Sequence, residues 1–264
     1  MLNIKFWNGN KTRVRQSYES ELLEACISAT ARDFGSSTVQ VDTTNYPLAE
    51  DEGNVFANGA DILVTVAGNL KFEHQQKIII PQPLAKGLLG YRLILIRNES
   101  LDGFSKLEST RALQALSIGI PQTWVDAEMF RQNGYRVVEK GTFDDLFVLL
   151  KSKAFDYTAL GANEIEDVYK ERVANLGGIS IEPSTMIYYP FPLVFYVNPS
   201  KPQLAERVAS GLKAILDNGQ HEQIFQKHHG DVVQRLNLKQ RKIFTLNNPI
   251  LPTEMQSFTP TLLD

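Results

Sequence analysis

The sequence predicts an α/β protein of two lobes, each built on a mixed, mostly parallel sheet flanked by helices. Apolar β-branched runs alternate with helical periods along the chain, as they do in α/β proteins. A second series of this kind starts after a polar stretch at residue 97, and a similar polar break follows residue 197. With 264 residues and 43% hydrophobic content, the chain is long enough to form two cores.

The first series begins with a strand over residues 2–7, where apolar and polar residues alternate. A polar turn follows at residues 8–10, and a helical period begins near Ser17. Further strands are predicted over residues 38–41 and 61–66. The latter is a continuous apolar run, typical of a strand buried on both faces of a parallel sheet.

Residues 91–96 predict another apolar strand, and the polar stretch after it places the first lobe boundary at residue 97. The second series lies between the two breaks. Its strands are predicted over residues 117–120, 136–138, 155–158 and 191–197, and its helices over residues 125–133, over residues 142–151 and from about residue 163.

Two amphipathic helices are predicted after the second break, over residues 203–218 and 221–228. Their apolar stripes need a surface to cover, and the first lobe is the expected one. This gives a discontinuous lobe one, a continuous lobe two and two hinge crossovers between them. The predicted bounds are 1–97 plus 198–240 for lobe one, 98–197 for lobe two, and 241–264 for a C-terminal tail that is extended over a surface or partly disordered.

The composition argues against a nucleic-acid partner, a disulfide and a membrane span. The net charge is −3 and the 27 basic residues are scattered, so a nucleic-acid partner is not expected. The single cysteine, Cys26, lies in an apolar helical pattern, which indicates a packed core thiol and no intrachain disulfide. No apolar run reaches the roughly 18 residues of a membrane span, and the start lacks the features of a signal peptide. We therefore expect either a cytoplasmic protein or one whose signal peptide has been removed.

Motifs for metal, cofactor or catalytic chemistry are missing from the sequence. His228 and His229 are adjacent and near His221, but no cysteine or closely spaced carboxylate accompanies them. No phosphate-binding loop, dinucleotide glycine motif, nucleophile elbow or zinc-protease motif occurs. We expect no cofactor and no metal.

Three segments resemble the bacterial extracellular solute-binding proteins of family 3, the amino-acid-binding type with the type 2 periplasmic-binding fold. Residues 59–62, Gly-Ala-Asp-Ile, followed by the apolar residues 78–81, are similar to the family's Gly-x-Asp strand and the sheet edge after it. Residues 149–156 resemble a helix, turn and strand of its second lobe, and residues 195–204 resemble its return crossover. Residues 87–92, 155–165 and 246–252 also resemble a proteobacterial subgroup of these proteins.

Two positions depart from the pattern of this family. The resemblance implies an arginine for the ligand's α-carboxylate, but the closest alignment places His74 there. It also implies an aspartate for the α-ammonium group about five residues after Asp156, where this chain has Gly161. Both charge anchors of a free amino acid are thus absent from their usual places, and Arg13, Arg92 or Glu164 remain as other sources of charge.

Candidate ligand contacts in lobe one follow the predicted strands, because ligands of open α/β sheets bind beyond the carboxyl ends of strands. Trp7 either stacks on a flat ligand or packs within the lobe, and Arg13 either holds an anion or stays solvated. Thr65, Gly68 and Asn69 either orient a ligand or form a plain turn.

Three further candidates lie close to the first crossover or to the missing anchor. His74 is either a ligand contact or a surface residue, and the surface position is favoured. Tyr91 and Arg92 either line the cleft or brace the hinge.

Lobe two offers candidates where two helices begin. Thr123 precedes a helix whose N-terminus suits an anion; it is either only the helix cap or a cap that also contacts the ligand. Trp124 either closes over the ligand or packs between helix and sheet. Asn163 and Glu164 open a later helix, although Glu164 is equally explained as a first-turn carboxylate favoured by the helix dipole.

The resemblance implies a periplasmic binding protein, monomeric and without enzyme activity. It would bind a small polar solute, amino-acid-like or another small organic anion, between the lobes by hinge closure. A membrane permease of the ABC type or a sensor kinase would then respond to the closed form. Two rivals remain open: a lyase or dehydratase with Glu164 and His74 as the candidate acid and base, and the sensory domain of a larger receptor.

Overall fold

The computed structural model describes residues 2–264 and divides the protein into two units, each with its own sheet. The first unit comprises Met1–Ala85, Leu193–Asp231 and Pro252–Gln256. The second unit comprises Lys86–Pro192, Val232–Leu251 and Ser257–Asp264.

The sheet of the first unit has the order β2-β1-β3-β10-β4. Strands β2, β1 and β3 are parallel, and β10 runs antiparallel to both β3 and β4. The strands are β1 (Leu2–Trp7), β2 (Ser37–Asp42), β3 (Ile62–Val66), β4 (Ile78–Ile80) and β10 (Leu193–Val197). The helices are α1 (Arg13–Ala29), α2 (Ala31–Phe34), α3 (Ala49–Gly53), α9 (Pro202–Asp217) and α10 (Gln220–His229).

The core of the first unit joins helices that lie far apart in the sequence. Helix α9 packs against α1, and the two approach so closely at Gly211 that a Cβ there would lie 2.7 Å from the carbonyl carbon of Cys26. Cys26 is fully buried at this contact, and burial raises the pKa of its thiol to about 12. The predicted return of the late helices to the first sheet is therefore observed.

The sheet of the second unit has the order β11-β9-β5-β8-β6-β7. Strands β8, β6 and β7 are parallel, β5 is antiparallel to β8 and β9, and β11 is parallel to β9. The strands are β5 (Tyr91–Arg97), β6 (Ser117–Ile120), β7 (Arg136–Glu139), β8 (Tyr157–Gly161), β9 (Ile179–Tyr188) and β11 (Lys242–Thr245). The helices are α4 (Leu101–Ser105), α5 (Thr110–Gln114), α6 (Val125–Gln132), α7 (Leu146–Lys151), α8 (Ile165–Val168) and α11 (Val232–Arg235).

The division between the units differs from the predicted bounds because β5 belongs to the second sheet. It pairs with β8 and β9, so the first change of unit falls between residues 85 and 86 and not at residue 97. The polar stretch that suggested a boundary is only the exit of this strand, where a short 3₁₀ turn follows. The second change falls at 192/193, and the chain changes unit three more times than expected, at 231/232, 251/252 and 256/257.

Strand β9 has no counterpart among the predicted elements, because Pro183 interrupts its strand pattern. A change of register in its pairing with β5, between Leu93 and Leu95, accommodates the interruption. Glu182 stabilises the irregularity, since its buried carboxylate accepts hydrogen bonds from the backbone N–H groups of Ser184 and Thr185.

The C-terminal segment is more regular than the extended tail predicted for residues 241–264. Residues 242–245 form β11 beside β9 and extend the second sheet. Beyond it, Asn247 and Asn133 exchange hydrogen bonds of 2.8 and 2.9 Å, and Thr261 donates its N–H to the carbonyl of Lys86. The segment is therefore held by backbone pairing as well as by side chains.

None of the helices between residues 2 and 264 combines the length and the apolar character of a membrane-crossing segment.

Candidate functional site

The carboxyl ends of the parallel strands in the first unit meet at one edge of its sheet, where β1 ends at Trp7. Trp7 is only 2% exposed, and its indole N–H donates to the carbonyl of Thr44 at 2.9 Å. The ring also lies 5.9 Å from that of Tyr46. Trp7 thus packs within the unit, whereas Arg13, the first residue of α1, is exposed at the same edge.

A buried ionic network lies in the loop between β1 and α1. The ammonium group of Lys11 lies 2.8 Å from Glu19 and donates to the Asn8 side chain at 3.1 Å, and Arg15 binds the other oxygen of Glu19 at 2.7 Å. Burial lowers the pKa of Lys11, although the negative charge of Glu19 acts in the opposite direction. Two cations share one carboxylate here, so this edge carries excess positive charge beside the exposed Arg13.

The turn after β3 brings together the three polar candidates of that segment. Asn69 donates from its side-chain amide to the Thr65 hydroxyl at 2.8 Å, and its side-chain oxygen accepts from the Lys71 N–H at 3.1 Å. Gly68, at φ 81°, donates its N–H to the Tyr196 hydroxyl at 3.0 Å. Thr65 and Asn69 thus bond to each other and Gly68 bonds to Tyr196, so the segment is a hydrogen-bonded turn in this structure.

His74 lies in an exposed turn after the 3₁₀ helix of residues 70–72. This placement agrees with the surface position that the sequence favours. The position where the resemblance implies a carboxylate-binding arginine therefore carries an exposed imidazole.

In the second unit, Arg92 is the centre of a buried cluster at the edge where β6 and β8 end. Strand β5 is antiparallel to β8, so Arg92 near its start pairs with Gly161 at the end of β8. Its guanidinium donates to Asp126 Oδ1 at 2.5 Å, and the Tyr189 hydroxyl donates to the same oxygen. Arg92 is 3% exposed, and the rings of Tyr189 and Phe191 lie 5.7 and 5.8 Å from its guanidinium carbon.

Burial and charge act in opposite directions within this cluster. Burial alone disfavours the charged guanidinium, but the nearby Asp126, Tyr189 and Glu164 outweigh it and raise the pKa of Arg92. Burial also raises the pKa of Tyr189 well above its usual value, so its hydroxyl stays a donor at neutral pH. Arg92 is consequently a fixed cation held by the protein's own acceptors.

Gly161 is closely surrounded by this cluster. A Cβ added there would meet the side-chain oxygen of Asn163, would lie 2.8 Å from a methyl carbon of Leu89, and would lie 3.4 Å from an Arg92 nitrogen. Among the described residues, Asn163 Oδ1 and Arg92 Nε are buried without a hydrogen-bond partner. Asn163 and Glu164 thus lie at the predicted edge, and the space for a side chain at position 161 is already filled.

Thr123 is not the cap of helix α6, so that prediction is wrong. It adopts a left-handed conformation at φ 69°, and Trp124 occupies the N-cap position without a side-chain cap. The N–H of Thr123 donates to the Glu139 carboxylate at 3.0 Å. The left-handed residue lies between β6 and the N-cap, and α6 starts at Val125, as predicted.

Trp124 borders a shallow, nearly closed recess at the end of β6 that has essentially no room for a water molecule. Its walls include Gly119, Pro121, Trp124, Asp126, Phe130 and Thr158. The Trp124 ring also stacks on Phe143 at 5.6 Å and an interplanar angle of 23°. Trp124 thus packs against an aromatic neighbour, and its closure over a ligand stays a prediction.

Tyr91 packs beside the cluster without joining it. Its ring lies 4.7 Å from that of Tyr188, and burial, helped by Asp264, raises the pKa of its hydroxyl. These contacts are those of a bracing residue at the start of β5.

Sequence patterns did not predict Asp126, Tyr189, Lys11 or Glu19 as site residues. Asp126 is the second residue of the predicted helix, so a search of the first helical turn for carboxylates would have found it. Tyr189 and Glu19 carry no such signal, because only the folded chain brings them to their partners. Within residues 2–264, no three side chains of the metal-ligating kinds are grouped to hold a metal ion.

Comparison with known proteins gives no match by sequence. No protein-family model matches the chain, and no curated protein matches it significantly. Solved structures do match it. An arginine 3rd transport system periplasmic binding protein from Legionella pneumophila superimposes with a TM-score of 0.60 at 12% identity, over 86% of this chain and 100% of that one.

The chain has the periplasmic-binding-protein fold. A His/Glu/Gln/Arg/opine family-binding protein from Silicibacter pomeroyi, solved with lysine, gives a TM-score of 0.58 at 9% identity over 88% and 98% of the chains. A histidine kinase sensor domain similar to periplasmic binding proteins gives 0.60 at 18% identity over 86% and 96%. The predicted two-lobed α/β fold is confirmed, and these periplasmic-binding-protein-fold neighbours are binding proteins and a sensor domain, not enzymes.

Proposed function

We propose that this chain binds a small polar solute reversibly and catalyses no reaction on it. The observation that carries the proposal is the fold, which is shared with periplasmic binding proteins over 86–88% of the chain. Proteins of this fold hold solutes beyond the carboxyl ends of their strands. Both sheets here have polar and charged side chains at that edge.

The two edges supply different chemistry to a solute. The first unit offers the exposed Arg13 near Lys11 and the half-buried Arg15, which suits an anionic group. The second unit offers Trp124, Asp126 and the polar groups of Asn163 and Glu164. Enclosure of the solute between the units stays a prediction, as do the ligand roles of Trp7, Thr65, Gly68, Asn69, His74, Tyr91, Arg92 and Thr123.

The family resemblance implies a free α-amino acid that is held by an arginine and an aspartate. This chain does not bind its solute in that way, because both positions carry other residues. His74 replaces the carboxylate-binding arginine, and Gly161 has no space for the ammonium-binding aspartate. The neighbours include an arginine transport system protein and a protein solved with lysine, so amino-acid-like solutes remain the first to test.

The physiological role that we propose is uptake through an ABC-type membrane permease, by a monomeric protein in the periplasm. The likeness to a histidine kinase sensor domain favours a second candidate, in which the chain senses the solute for a signalling partner. Both roles need the same binding step and differ in the partner that responds to it.

A metabolite screen tests the binding step directly. Amino acids, amines, small organic acids and sugars are added singly, and the unfolding temperature is measured; a ligand at 100 times its Kd stabilises by about 2.7 kcal/mol. Isothermal calorimetry and small-angle scattering then follow each positive solute. Saturable binding with a decrease in radius of gyration supports the proposal, and no binding by any solute would contradict it.

Mass spectrometry of the bound solute after incubation distinguishes binding from catalysis. An unchanged solute supports a binding protein. Conversion that depends on Glu164 or His74 would instead identify an enzyme on this scaffold.

A further inference from the structure

Strand β2 forms a free edge of the first unit's sheet, because β1 is its one partner among the described strands. The Asp42 carbonyl accepts the N–H of Asn8, which directly follows β1, so the backbone groups of Asp42 face β1. Since these groups alternate in direction along a strand, the N–H and C=O groups of Ser37, Val39 and Val41 point away from the sheet. They make no backbone hydrogen bond with another described residue on that side.

This edge lacks the features that keep exposed sheet edges from pairing. Protected edges are short, or they carry lysine, other charges or proline. The opposite edge of the same sheet, β4, has three residues and is followed by Pro81. In the second sheet, β7 contains Arg136 and Glu139, and β11 begins at Lys242. Strand β2 has six residues without Lys, Arg or Pro, and its one charge, Asp42, is at its end. It is therefore the least protected of these four edges.

Exposed apolar side chains are concentrated around this edge. Among the described residues, six large apolar side chains are exposed. Three of them lie on β2 or close to it in the chain, namely Phe34, Val41 and Leu48. The register with β1 places Val39 and Val41 on the same face as Ile4 and Phe6, which are buried in the core. The apolar face of the sheet thus continues to its uncovered edge.

We infer that two copies of this chain pair through β2, antiparallel and around a two-fold axis at Gln40. In this register, Val39 lies opposite the partner's Val41 and exchanges both backbone hydrogen bonds with it, and the symmetry repeats this pair. Gln40 lies opposite the partner's Gln40, where each amide donates to the other. Asp42 lies opposite the partner's Thr38, a hydroxyl donor, so the one charge of the strand meets no like charge. A second copy fits this edge because the two halves of the strand are complementary to each other.

The size of this contact predicts a weak and reversible pairing. A single pair of six-residue strands makes a small interface, whereas stable complexes bury roughly 1,200 Å² or more. We therefore expect monomers in dilute solution and pairs at high concentration. The monomer remains the solute-binding unit of the proposed function. The inference goes beyond that function, since pairing through β2 needs no solute.

Sedimentation velocity of the full-length protein without added solute, from about 10 µM to about 1 mM, tests the pairing. We expect monomer at the low end and a growing dimer fraction toward the high end. Val41→Lys places an ammonium group beside the partner's Val39 in both symmetry-related pairs, and is expected to raise the Kd about tenfold. Val148→Lys makes the same change at an exposed valine of the second unit, and is expected to pair as the parent does.

Cysteine cross-linking tests the register. Opposite residues of an antiparallel pair that share no backbone hydrogen bond lie about 4.5 Å apart at Cα, which suits a disulfide. We expect Gln40→Cys to form a disulfide-linked dimer on mild oxidation. Two controls are expected to form no such dimer: Ser105→Cys, at an exposed position of the second unit, and the parent, whose Cys26 is buried.

A parent that stays monomeric over the whole concentration range would overturn the inference, and this edge would then be left to a segment of another protein. Equal Kd values for Val41→Lys and the parent would also overturn it. So would Gln40→Cys dimers that are no more abundant than Ser105→Cys dimers. Solute binding is independent of these results, because the metabolite screen measures it on its own.

Discussion

Replacing Arg92 with Met tests whether the buried cluster of the second unit is held together by the ion pair with Asp126. Arg92 and the Asp126 side chain are 3% and 10% exposed, so water replaces little of a lost interaction. Unit charges about 4 Å apart interact by about 4 kcal/mol at an effective dielectric constant near 20. Breaking a buried pair by removing one partner typically costs about 3–5 kcal/mol, and we expect Arg92→Met to fall in this range.

The double variant Arg92→Met/Asp126→Asn separates the pair from packing. The neutral amide keeps an acceptor for the Tyr189 hydroxyl and removes the uncompensated charge. We therefore expect the double variant to be more stable than Arg92→Met by about 2 kcal/mol, a coupling within the range found for contacting residues.

Urea unfolding followed by Trp124 fluorescence is the assay, because Trp124 belongs to the same unit as the pair. The exposed pair Lys106–Asp102 of the same unit, with side chains 70% and 81% exposed, serves as the control. Its matched variants, Lys106→Met with and without Asp102→Asn, are expected to couple by no more than about 0.5 kcal/mol. A cost below about 1 kcal/mol for Arg92→Met, or a coupling no larger than that of the control pair, would refute the reasoning.

Three further predictions concern stability alone. Because burial raises the pKa of Cys26 from 9.0 to about 12, the unfolded thiol loses its proton first and stability declines between these pH values. In Cys26→Ala, the free energy of unfolding should fall less steeply between these pH values, by about 1.4 kcal/mol per pH unit. Urea unfolding at several pH values measures this, and the same pH dependence in the variant and the parent would contradict the prediction. Gly211→Ala is expected to destabilise the protein by about 1–3 kcal/mol, because the added methyl group overlaps the backbone of α1. Gly103→Ala, at an exposed helical position with open space around it, is expected to stabilise the protein by about 0.5–1 kcal/mol. Thermal unfolding of both variants measures these effects, and equal effects would contradict the close approach of the two helices at Gly211. Tyr189→Phe should destabilise the protein by about 1.5–3 kcal/mol, since the Tyr189 hydroxyl donates to a carboxylate. Tyr188→Phe removes a buried hydroxyl that has no hydrogen-bond partner, so it should cost less than about 1 kcal/mol. A larger loss for Tyr188→Phe in urea unfolding would show that the hydrogen bonds are assigned to the wrong hydroxyl.

Elements with a strong local pattern were predicted closely. The strand over residues 117–120 has the bounds of β6, and the helix over residues 203–218 differs from α9 by one residue at each end. Both have regular apolar spacing and clear ends, such as Pro202 at the start of α9. Strands β9 and β11 were missed because their stability comes from pairing with distant strands, and Pro183 hides the first of them.

The sequence predicted which edge of the second sheet carries the candidate residues, but not which residues contact one another there. The rule that ligands bind at the carboxyl ends of strands selected Trp124 and Asn163, which lie at that edge of the second unit. Arg92 lies at the same edge but was a candidate through its place near the first crossover. The partner of Arg92 is 34 residues away in sequence, so no local spacing indicates it. The cap at Thr123 was wrong because a left-handed residue leaves no trace in a sequence that lacks glycine at that position.

The filled space beside Gly161 restricts how this protein can acquire a new specificity. Replacing Gly161 with aspartate would force its side chain onto Asn163, Leu89 and Arg92 at once. An ammonium-binding acid at this position therefore requires several coordinated replacements, and any single step is expected to fold poorly. Selection for altered ligands, in nature or in the laboratory, would more readily proceed through Trp124, whose side chain is only half-buried.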